Sequence, residues 1–171
     1  MDKEDPQGQS SEFSHLDREG RARMVDVSAK AITRREARAS CRVLFSAATR
    51  DRLASLPKGD AIAVARLAGI AAAKRVDELI PLAHTLPLDE VAIDIHPIAE
   101  GVHIESRIVV TARTGAELEA LAACANAALA LYDMIKAVEK GAVITDLRLE
   151  EKSGGRSGHY RREENSSREA K

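Results

Sequence analysis

Two neighbouring runs of alternating residues leave this chain few folds to choose from. Val91, Ile93 and Ile95 alternate with Ala92, Asp94 and His96; after a turn near Glu100 and Gly101, Val102, Ile104, Ile108 and Val110 alternate with His103, Glu105 and Val109. Strand side chains point to opposite faces in turn, so each run has one face for a core, and the short connection predicts an antiparallel hairpin. Upstream, Ala37, Ala39, Cys41 and Val43 alternate with Arg38, Ser40 and Arg42, which predicts a third half-buried strand.

The segments between these strands read as helices and one ordered loop. A short helix is expected at Ser46 to Leu56, and Asp60 can cap a longer one over Ala61 to Asp77. Residues 79 to 88 carry Pro81 and Pro87, which withhold backbone donors and disfavour helix before them, so this stretch is a loop. Thr114 and Glu117 have the spacing of a capping box ahead of a long helix to about Glu139, and a last strand runs near Val143 to Glu151. The order is therefore strand, helix, strand, strand, helix, strand. This predicts an α+β, ferredoxin-like βαββαβ fold with an antiparallel sheet and helices packed on one face. That architecture hosts enzymes, RNA binders and regulatory modules, so the fold leaves function to the sites.

Composition narrows the classes. At 171 residues the chain has room for one core. Polar, unpatterned residues mark a disordered N-terminal arm over 1–22 and a flexible tail over 161–171, with the domain at 23–160. Lys and Arg total 26 against 27 Asp and Glu, so no long-range attraction to nucleic acid or to a membrane is expected and any anion site must be local. The apolar stretches at 61–73 and 121–131 are too short to cross a bilayer, and no signal or transit peptide is apparent. Cys41 and Cys124 have no metal-ligand spacing and make no disulfide framework, which fits a reducing cytoplasm. Aromatic residues are 2% of the chain, so Ala, Leu, Val and Ile must fill the core and small-residue helices can approach closely, against one another or another subunit. Phe13, Phe45, Tyr132 and Tyr160 form no stacking platform for RNA bases.

Several residues could carry chemistry. Asp133 and Lys136 stand three apart on the long helix, an arrangement common in exposed ion pairs, but apolar neighbours on nearly every side suggest poor solvation and shifted pKa values. Glu119 and Asp133 lie within roughly 40° around that helix with Asn126 between them, a polar stripe that faces either a site or water. Glu117 reads first as a cap. His84, in the double-proline loop, is either a packed residue or a fixed proton donor. The segment from Lys152 through Gly154, Gly155 and Arg156 to Gly158 combines cations with glycines and can receive phosphate, although a flexible tail is the commoner use of such a composition. Lys58 offers another cation beside a helix start.

Taken together, MVDVSAK at 24–30, KGD at 58–60, ARLAGIAAAKR at 65–75, LIPLAH at 79–84, TGAELEAL at 114–121, YDMIKAVEK at 132–140 and KSGGRSG at 152–158 resemble the cyclic pyranopterin monophosphate synthase family of molybdenum-cofactor synthesis. The resemblance covers nearly the whole chain after the arm. It implies a ferredoxin-like subunit in a homohexamer, a trimer of dimers, with active sites between subunits. The implied reaction converts a cyclised dihydro-GTP to cyclic pyranopterin monophosphate and releases pyrophosphate. By position in the matching motifs, Asp133, Lys136 and Lys58 are the implied catalytic residues. Leu82, Ala83, His84, Glu117, Leu118 and Glu119 fall in substrate-contact segments, and Lys152 and Arg156 face the phosphates. No resident cofactor and no metal-ligating side chain is implied, and Mg2+ accompanying the triphosphate is compatible with it. Two departures stand out. The loop that commonly reads Leu-Cys-His-Pro-Leu is Leu82-Ala83-His84-Thr85-Leu86 here, which removes a thiol and is expected to loosen His84, and Arg156 stands where the family has lysine. A non-catalytic nucleotide-binding oligomer of the same fold is the alternative.

Overall fold

A computed structural model of the protein describes residues 19–53, 56, 58–156 and 158–163. Most of the expected arm, residues 1–18, and of the expected tail, residues 164–171, lie outside the described residues, as does Ser157.

The chain runs β1 (Thr33–Leu44), α1 (Ala47–Arg50), α2 (Ala61–Ala73), α3 (Val76–Leu79), β2 (Leu88–Ile98), β3 (Gly101–Ala112), α4 (Glu117–Ile135), β4 (Val143–Ser153) and the short β5 (Tyr160–Arg161). The strands form one antiparallel sheet in the order β2-β3-β1-β4-β5, the βαββαβ arrangement with one added edge strand. β1 lies at its middle, pairing Cys41 with Ile104 of β3 and Ala39 with Leu149 of β4. Its alternation is the one read from sequence: Ala37, Ala39, Cys41 and Val43 are buried under the helices. On the other face, Glu36 accepts from Arg38 and Arg107. The β2–β3 turn brings Gly101 against β1 at φ +136°, where a Cβ would sit 2.0 Å from the Val43 carbonyl oxygen. Only glycine tolerates both the backbone and the approach.

α2 and α4 cover one face of the sheet. Asp60 caps α2 as expected, its carboxylate accepting from the amides of Ile62 and Ala63 at 3.0 Å. At Gly69 the two helices come so close that a Cβ would lie 2.8 Å from the Ala123 carbonyl oxygen. α4 is long and apolar enough to resemble a membrane span, longer than the stretch expected from sequence. Its stripe of Ala120, Ala123, Cys124, Ala127 and Leu131 is buried against the sheet and α2. The Cys41 and Cys124 thiols meet in that interface; their hydrogen bond, with burial, pushes the Cys41 thiol up and keeps it protonated.

Four boundaries differ from the sequence reading. The short helix expected at Ser46 to Leu56 is only the single turn α1, which starts after the Ser46 cap and ends at Arg50. The helix expected over 61–77 stops at Ala73, because the Arg75 amide bonds back to the Ala72 carbonyl and tightens the turn. α3 then restarts with Val76 in the core. The Thr114–Glu117 capping box does not form: the cap position is Ala116, with no side-chain cap, and Glu117 is the first helical residue. The acidic residue two positions later, Glu119, instead bonds its own amide. Finally, α4 ends at Ile135 rather than near Glu139, and Glu139 turns back to accept from Ser46 and Thr49 at the start of α1.

Candidate functional site

α2 and α4 run antiparallel, so the residues leading into α2 reach the end of α4. Lys58 Nζ donates to Asp133 Oδ2 at 2.9 Å and to the Asp133 carbonyl oxygen at 2.9 Å, a contact across 75 positions of sequence. Lys136 Nζ approaches Asp133 Oδ1 to 2.5 Å. One carboxylate is thus gripped by two ammonium groups, and the lysine on the carbonyl satisfies an acceptor that the helix end leaves free. The sequence reading put this group in poorly solvated surroundings; instead Lys58, Asp133 and Lys136 are 42%, 53% and 50% exposed. The apolar neighbours Met134 and Ile135 are the ones that are buried. Lys136 and Lys58 hold the Asp133 carboxyl down at about 2, and Asp133 in turn holds the Lys136 ammonium above its usual value. Asp133 is therefore ionised and Lys136 protonated near neutral pH.

A second constellation stands at the other end of α4. Leu82, Ala83 and His84 from the loop after α3 and Glu117, Leu118 and Glu119 from the first turn of α4 all line one cavity of about 370 Å³. Its remaining wall is the N-terminal segment, through Val25, Val27 and Lys30. The His84 ring bridges two of these walls, Nε2 donating to the Val25 carbonyl oxygen at 2.8 Å. That bond makes Nε2 the protonated nitrogen. The loop is tied as well by Ala83 N to Ile80 O at 2.9 Å and by the Thr85 hydroxyl to Asp77 at 2.5 Å. The loosening expected where Thr85 replaces proline is offset by these bonds.

Glu119 is the buried charge-bearing group of this cavity, only 4% exposed. Burial first, then the neighbouring Glu117 and Asp77 charges, push its carboxyl up to about 7. Of the stripe read from sequence, Glu119 is therefore enclosed, Asn126 is half-buried and bonds the Ala122 carbonyl oxygen, and Asp133 is exposed. The stripe joins two environments instead of facing one.

Beside the cavity, Lys152 Nζ donates to Glu117 Oε1 at 2.9 Å. Glu117 is thus an ion-pair partner and not a cap. Gly115 and Glu117 are shared with a small hollow of about 20 Å³ that adds Arg35, Glu36, Lys152, Ser153 and Gly154. Gly154 and Gly155 have φ of +91° and +72° and fold onto Arg35, where a Cβ on Gly155 would lie 2.1 Å from the guanidinium. Arg156 follows, exposed, and lines neither space.

The structure thus gathers the sequence-predicted residues at two places. Glu119 and Asp133 are about 21 Å apart along the helix axis at 1.5 Å per residue. Arg35, Val25, Val27 and Lys30 were missed as site residues. For Val25, Val27 and Lys30 the available signal was the MVDVSAK block itself, which has no periodicity to mark a wall; Arg35 lies beyond that block, on β1. Among the described residues no group of three or more His, Cys, Asp or Glu is placed to hold a metal ion.

The sequence pattern described as the MoaC family matches residues 24–155. A cyclic pyranopterin monophosphate synthase 3 of Mycobacterium tuberculosis is 54% identical over 153 residues, 88% of this chain and 86% of that protein. The cyclic pyranopterin monophosphate synthase of Heliobacterium modesticaldum is 54% identical over 158 residues, 89% of this chain and 98% of its own. That of Streptomyces avermitilis is 52% identical over 152 residues, 88% and 89% of the two chains.

Proposed function

The chain belongs to the MoaC family, and we propose that it is a cyclic pyranopterin monophosphate synthase of molybdenum-cofactor synthesis, a phosphorus–oxygen lyase. It converts the cyclised dihydro-GTP to cyclic pyranopterin monophosphate and pyrophosphate. The observation that carries this reading is the Lys58–Asp133–Lys136 cluster. Rearranging the rings needs proton transfers, and displacing pyrophosphate needs cations against the charge that develops on it. Asp133, ionised at neutral pH, enters as the base; Lys136 and Lys58 donate protons and receive phosphate oxygens. Glu119, whose carboxyl lies near 7, exchanges a proton in the working range and contacts the substrate together with Leu82, Ala83, His84, Leu118 and Glu117. Lys152 and Arg156 face the phosphates, Lys152 being released from Glu117 as they bind.

A second subunit completes the site. Proton transfer needs groups within roughly 3 Å, so a cavity and a cluster some 21 Å apart cannot serve one reacting centre within one chain. In a homohexamer, a trimer of dimers, the cavity of one subunit faces the cluster of another. Leu67 and Leu129, 67% and 56% exposed on α2 and α4, give such contacts apolar area. The enzyme works in the cytoplasm, where Cys41 and Cys124 stay free, and engages neither nucleic acid nor membrane.

The test is pyrophosphate release and pterin product formation from the cyclised substrate, beside Asp133→Asn and with the assembly mass measured by light scattering. Turnover in the wild type, reduced by about 10²-fold or more in Asp133→Asn, is expected. A folded wild-type assembly that binds the substrate without releasing pyrophosphate would replace this reading with a non-catalytic nucleotide-binding oligomer.

A further inference from the structure

The loop between α3 and β2 supplies a cavity wall, yet Pro81 and Pro87 deprive it of two backbone donors. Beyond the Ala83 N to Ile80 O bond, its anchorage therefore falls on side chains. Thr85 Oγ1 donates to Asp77 Oδ2 at 2.5 Å, the length of a charge-assisted O–H···O⁻ bond, and Asp77 sits in the first turn of α3, eight positions back. One residue before Thr85, the His84 ring reaches the opposite way to the Val25 carbonyl oxygen. The two bonds hold the loop from both sides, one to α3 and one to the N-terminal segment, with the lining residues Leu82, Ala83 and His84 at or beside them.

We propose that Asp77 and Thr85 are positioning residues for the reaction: their hydrogen bond latches the His84 loop to α3 and so fixes the cavity wall against which the substrate binds. The proposal rests on the activity proposed above. Neither residue lines the cavity, so each acts through the loop. Asp77 has a second effect. Its charge stands near Glu119 and opposes ionisation of that carboxyl, adding to burial and to Glu117. The other charged or titratable groups around this end of α4 are His84 from the loop, Lys30 from the N-terminal segment, Lys152 from β4, Arg35 and Glu36 from β1 and the exposed α2 C-cap Lys74. β3 presents the uncharged Ser106, bonded to the Ala120 carbonyl oxygen.

Two substitutions separate the latch from the charge. Thr85→Val keeps shape and leaves the Asp77 charge; Asp77→Asn keeps an oxygen to accept from Thr85 and removes the charge. In Thr85→Val, KM is expected to rise about tenfold or more with kcat nearly unchanged, the scale of one lost hydrogen bond to a charged group, and Thr85→Ser restores it. In Asp77→Asn, KM rises less than in Thr85→Val, because a weaker neutral acceptor remains, while the Glu119-dependent limb of the pH profile moves to lower pH. Hydrogen exchange at residues 82–86 gives a readout without turnover: faster in Thr85→Val, as in the wild type in Thr85→Ser. Unchanged KM or unchanged exchange in Thr85→Val overturns the latch, and an unmoved pH limb in Asp77→Asn overturns the charge effect. A wild type without turnover defeats the proposed activity, and the exchange comparison still decides the latch.

Discussion

Glu119→Gln should make the protein more stable at alkaline pH while impairing its chemistry. Burial raises the Glu119 carboxyl from its ordinary 4.5 to about 7, so the folded protein holds this proton more tightly than the unfolded chain does. The resulting stabilisation is whole below pH 4.5 and is lost as pH rises through 7. At ~1.36 kcal/mol per tenfold difference in proton affinity, the fold loses roughly 2 to 3 kcal/mol between pH 5 and pH 8 through this one group. Glutamine fills nearly the same volume and cannot ionise, so that slope disappears. Urea unfolding of both proteins across this range, at one protomer concentration because assembly also stabilises, isolates the effect, since every other titrating group is common to both. The two should be close at pH 5 and about 2 kcal/mol apart at pH 8, the variant being the more stable. Parallel stability curves would show that Glu119 is not held protonated by burial. A buried carboxyl that costs stability at working pH is the kind of group retained for function.

Two further outcomes follow from particular contacts. Gly69→Ala sets a methyl 2.2 Å from Ile93 Cδ1 and 2.8 Å from the Ala123 carbonyl oxygen, and the second contact is backbone that cannot swing aside. Overpacking of ~1–3 kcal/mol against the ~1 kcal/mol helix gain of alanine leaves a net loss of up to about 2 kcal/mol in thermal unfolding; a higher Tm would mean that α2 and α4 separate freely. Lys58→Met should move the Asp133 carboxyl upward from about 2 towards its ordinary 3.8, read by carboxyl-carbon NMR titration. Asp133 stays ionised at neutral pH, so an unmoved titration would mean that Lys136 alone sets it.

The sequence by itself determined the elements whose signals are local. Alternation in β1, β2 and β3 reports which side of a pleat meets the core, and Asp60 caps α2 from within one turn of chain. It also carried the family motifs, and with them the residues of both constellations. The capping box misled because Thr114 and Glu117 have the right spacing in either frame, and the choice of Ala116 as cap is made by tertiary contacts: Lys152 from β4 takes the Glu117 carboxylate. Solvation of the Asp133 pair was misread because apolar neighbours in sequence say nothing of which side of α4 meets water. Only the tertiary structure could bring Lys58 to Asp133 across 75 positions, wall the cavity with residues 25–30, and set cavity and cluster at opposite ends of one helix. Those facts depend on antiparallel packing of α2 on α4, which Gly69 and its alanine neighbours permit and no local pattern encodes.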